Sequence, residues 1–180
     1  MTVDVFGARQ HSRNFSFAAE VFRREPLYAG AALCLAALIA PTLVAMSLDE
    51  RTVAGVNVWL KPLRFELALT VYLVTLAWFA GWLPQGVTTT RWYRIYSACV
   101  VFAIAAEMIW IGGAASLGIA SHFNESSPIL AWTYRLMGGL AVLLTSSALV
   151  YGILILRNRN SVSTLHSSFR LVLASCSRSF

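Results

Sequence analysis

Residues 95–120 carry one charged side chain, Glu107, in a run of about 26 residues, and this run limits what the chain can be. A helix of that length rises about 39 Å at 1.5 Å per residue, more than the roughly 30 Å hydrocarbon core of a bilayer. Such a helix has no polar face to show to water. Residues 28–48, 63–83 and 129–156 read the same way. Only 12% of the 180 residues are charged, about half the share found in soluble domains. The expected fold is therefore all-α, a membrane bundle of four transmembrane helices. The bundle occupies residues 28–156, after a cytoplasmic N-terminal segment, 1–27, and before a basic, Ser-rich cytoplasmic tail, 157–180.

The segment before the first span has Phe15, Ala18, Ala19 and Phe22 at helical spacing among charged residues. That pattern suits a short helix in the headgroup region, ending near Pro26. In the first span Ala29, Ala31, Ala32, Ala36 and Ala37 offer a surface another helix can approach closely, and Pro41 is a kink site. The second span enters through Lys61-Pro62 and leaves through Trp82, Pro84 and Gly86. Cys34 and Cys99 read as buried small residues, and there is no CxxC pair.

The net charge of +6 does not point to nucleic acid, because the basic residues flank apolar runs, as anionic headgroups require. Ten of them fall on one side: Arg9, Arg13, Arg23, Arg24, Arg91, Arg94, Arg157, Arg159, Arg170 and Arg178. Arg51, Lys61 and Arg64 fall on the other. The positive-inside rule then sets both termini in the cytoplasm. The lipid bilayer is the expected partner, with a homo-oligomer or larger membrane complex left open.

Candidate chemistry is sparse. Glu107 lies deep in its span, where an ionisable group faces the bundle interior and finds a partner. Arg135, about 10 Å into the fourth span, is the expected partner, with Glu66 and His122 completing a ligand-binding or proton site. Trp59, Lys61, Arg64 and Asn124 read as interface and headgroup residues. A metal ion needs three or four ligands, and His122 with Glu107 or Glu66 does not supply them at one depth. His11 and His166 belong to the opposite side from His122, so one chain does not offer two histidines to a haem. The sequence names no cofactor and has no nucleotide or protease motif. It reads as a membrane protein that binds a small ligand or proton in an outward-facing polar cluster, or as a structural subunit. The alternative is a membrane redox enzyme or a haem- or quinone-associated subunit, with His122 near the cofactor.

Two strings add a resemblance. Trp59-x-Lys61-Pro62-x-Arg64-Phe65 and Glu107-Met108 followed by Ser121-His122-Phe123-Asn124 resemble an uncharacterised family of bacterial multi-pass inner-membrane proteins. The similarity covers about residues 55–156. It implies a bacterial inner-membrane location and brings no activity with it. This chain departs from the family pattern at Ala68, Ala114 and Leu117, where the family tends to have serine, glutamine and arginine. It also runs into the Ser/Arg tail where members continue into further helices, and so reads as a truncated or divergent member.

Overall fold

The computed structural model describes residues 16–119, 121 and 128–158. Among them are five α-helices and a small hairpin: α1 (Phe17–Arg24), α2 (Pro26–Leu48), β1 (Thr52–Val53), β2 (Val56–Asn57), α3 (Leu60–Phe79), α4 (Arg91–Leu117) and α5 (Pro128–Arg157). Short 3-10 turns at Ala80–Trp82 and Val87–Thr89 bridge α3 and α4. Four helices are long and apolar enough to cross a membrane. The all-α bundle is thus as the apolar runs require.

Helix α1 starts at Ser16, whose side chain accepts the Ala19 N–H at 3.4 Å. It packs through Val21, not Phe22, which is exposed, and Phe15 lies outside the described residues. Arg24 fixes this short helix to the end of α3. Its guanidinium donates to the Trp78 carbonyl at 2.7 Å and lies over the Trp78 and Trp82 rings. Phe17 stacks on Trp78, with ring centroids 5.1 Å apart. Arg23 and Arg24 both bond Glu20 and hold its carboxyl down to about 2.

Helix α2 packs most extensively on α3. Tyr28, Ala29, Ala32, Leu35 and Thr42 make its buried stripe, so of the expected alanine surface Ala29 and Ala32 are in the contact while Ala36 and Ala37 face outward. Both cysteines expected inside the bundle, Cys34 and Cys99, are exposed on outward helix faces. Apolar character placed them at membrane depth and left their angular position open.

A short loop follows α2. It forms an antiparallel hairpin, with Val53 opposite Val56. Ala54 and Gly55 have φ of 53° and 77°, the left-handed pair that a two-residue hairpin turn needs. Helix α4 stops at Leu117, three residues short of the apolar run. Gly118, at φ 67°, donates to Ala115, and Ile119 donates to Ala114. These two bonds make a Schellman cap, which satisfies carbonyls the helix end leaves free. Glu107 is therefore ten residues from the helix end, about 15 Å along the axis.

Candidate functional site

The hairpin end of the bundle holds a cavity of about 500 Å³ between α3, α4 and the loop. Val53, Val56 and Val58 form its lid, with Asn57 beside them. Lys61, Arg64 and Phe65 line it from α3, Ile111 and Ala115 from α4, and Ile119 from just beyond the α4 cap. Positions 61, 64 and 65 share one face because α-helical neighbours recur at three and four residues. Lys61 is half-buried and Arg64 is exposed. No described residue gives Arg64 a carboxylate partner.

The lid is braced by polar bonds. Asp49 takes the Arg51 guanidinium at 2.7 Å and the Trp59 indole N–H at 2.8 Å. Asn57 donates to the Asp49 carbonyl and accepts the Trp59 N–H. Arg51 reaches across to the Ser116 carbonyl at 3.1 Å. Trp59, expected as an anchor to the interface, is half-buried and is a structural pin of the lid. On α4, Trp110 donates to the Ser121 carbonyl at 2.7 Å and holds the chain after Gly118 against the helix.

Glu66 and Glu107 are both buried, at 3% and 5% exposure, as an acid at membrane depth requires. Each lies four residues, one helical turn, inward of a cavity-lining residue: Glu66 from Pro62 and Glu107 from Ile111. Glu66 Oε1 accepts the Thr42 hydroxyl at 2.7 Å. Glu107 has no ion-pair partner among the described residues. The expected Glu107–Arg135 pair is not formed. Arg135 is exposed, with its guanidinium 5.8 Å from the centroid of the Trp132 ring. The inward stripe of α5 is Met137, Leu144, Ser147 and Tyr151. Arg135 stands two residues from Met137, about 200° around the helix at 100° per residue. Depth suggested the pair, and helix rotation prevents it. His122 and Asn124 lie outside the described residues.

A second polar cluster, at the opposite end, was not anticipated. Glu25, the residue between α1 and α2, is buried. Tyr93 of α4 donates its hydroxyl to Glu25 Oε2 at 2.8 Å, and the Tyr93 and Tyr151 hydroxyls bond each other. Tyr28 packs near Tyr151, and its hydroxyl is enclosed without a partner. One signal was available: Glu25, Tyr28, Tyr93 and Tyr151 all fall within about two turns of the same end of their spans.

Burial raises the Glu25 carboxyl above its usual value, against a smaller lowering by the Tyr93 hydrogen bond. In the unfolded chain the group releases its proton at a lower pH, so between the two values the unfolded form binds fewer protons. Stability contributed here is thus complete below the ordinary glutamate range and declines as pH rises to the raised value. We expect amide exchange in α1 to quicken across that interval, after correction for intrinsic rates. Glu25→Gln should flatten the profile, and an unchanged profile in that variant would remove Glu25 as the cause.

The chain matches no family model, no curated protein and no solved structure.

Proposed function

We propose that this chain is a bacterial inner-membrane binding protein that takes a small amphipathic molecule with an anionic head into the cavity under the hairpin. The observation that carries this reading is the composition of the cavity walls: Arg64 and Lys61 beside Phe65 on α3, with the apolar Ile111, Ala115 and Ile119 completing the lining. Its volume falls in the range of small-molecule sites, about 300–1,000 Å³. Both termini are assigned to the cytoplasm from the distribution of Lys and Arg, which places the cavity on the outer side. The resemblance carried by residues 55–156 favours the same location. Glu107 is buried one helical turn inward of the wall residue Ile111.

Dodecanoate and dodecanol, which differ only in the head, test the reading on the full chain in neutral nanodiscs. Dodecanoate should bind the more tightly, and Arg64→Gln should weaken it by about tenfold, the scale of one charge-assisted hydrogen bond. Dodecanol should be indifferent to the substitution. Equal binding of both ligands to both proteins would contradict the reading.

A further inference from the structure

The contact between α2 and α3 contains a carboxylate oxygen that no described residue satisfies. Glu66 gives Oε1 to the Thr42 hydroxyl, but its Oε2 is enclosed and unpartnered. Thr70 Oγ1 is enclosed and unpartnered as well. Thr70 follows Glu66 by four residues on α3, so the two side chains share a face with Cβ atoms about 5–6 Å apart. The ion pairs among the described residues join Glu20 to Arg23 and Arg24, and Asp49 to Arg51, so none reaches Glu66. Two enclosed, unpartnered oxygens one helical turn apart on the same face of an apolar bundle are costly to leave bare.

We propose that Glu66, Thr70 and Thr42 form a site for one monovalent metal cation of about sodium size. The donors are all oxygen, which suits a hard cation. Among the described residues no three His, Cys, Asp or Glu side chains come together, so the set suits an alkali ion better than a transition metal. The charge count selects the valence: one carboxylate neutralises one positive charge, whereas a divalent ion would leave a net charge at membrane depth. The site stands apart from the cavity and does not depend on what the cavity binds.

The test is a sodium titration of the full chain in neutral nanodiscs, with choline chloride holding ionic strength constant and Tm as the readout. Tm should rise and saturate with sodium. Glu66→Gln should abolish the rise. Thr70→Val, which keeps the shape and removes one oxygen, should weaken the apparent sodium affinity by about tenfold, and it carries the test if the glutamine variant does not fold. No sodium-dependent shift would overturn the proposal, as would the same shift in both variants. A shift that followed pH alone at fixed sodium would also overturn it, since the occupant would then be a proton.

Discussion

Tyr93→Ala is expected to be the most damaging single substitution in the bundle, at about 3–5 kcal/mol, the range for removing a buried aromatic side chain. Tyr93 is 2% exposed, and its ring packs against Tyr151. Lipid weakens the hydrophobic drive between helices but leaves their close packing as the main source of association, so the cavity left by the ring still counts. The hydroxyl adds a second contribution, because it is the donor that Glu25 receives from α4. Tyr93→Phe isolates that part and should cost about 1–3 kcal/mol, the scale for a buried polar group that loses its partner. Denaturant titration in mixed micelles separates the two variants. Equal losses would mean that the ring contributes little beyond its hydroxyl.

Asp49→Ala should open the hairpin without melting the bundle. One carboxylate ties Arg51 and Trp59 together, and Arg51 in turn holds the Ser116 carbonyl of α4. Protection of the amides in residues 52–57 should fall on the order of tenfold, while α3 and α4 keep theirs. The Arg51 guanidinium, with the Trp59 indole, holds the Asp49 carboxyl well below the usual carboxylate range. A depressed acid contributes fully above its unfolded value and loses that contribution progressively as pH falls from there towards its folded value. The wild-type lid should therefore stay closed through mildly acidic pH. Hairpin exchange that already quickens above about pH 5, after correction for intrinsic rates, would argue against this brace.

Sequence revealed the bundle because apolar length is set by the bilayer and is read along the chain without knowing any contact. Burial of Glu107 followed from the same cost. The rotation of α5 did not follow: Trp132 and Tyr134 before Arg135 and Leu136 and Met137 after it put large side chains on every face, so no amphipathic stripe marks which face turns inward. The end of α4 was hidden for a related reason, since Gly118 and Ile119 extend the apolar run while the backbone turns left-handed. The hairpin and the Glu25–Tyr93–Tyr151 bonds join residues through turn geometry or across dozens of positions, where periodicity carries no signal. Matching polar residues by depth across spans would have collected the tyrosines, but the same method produced the unformed Glu107–Arg135 pair.

In the proposed orientation the bilayer separates the hairpin from the turn between α3 and α4, with the hairpin outside. Thr52 and Gln85 are exposed at those two ends. Each is replaced singly by cysteine in a background where Cys34, Cys99 and Cys176 are serine, and intact cells are treated with a membrane-impermeant maleimide. Thr52→Cys should label at once, and Gln85→Cys should label only after permeabilisation. Labelling of Gln85→Cys in intact cells with Thr52→Cys protected would reverse the orientation, and prompt labelling of both would contradict the four-span bundle.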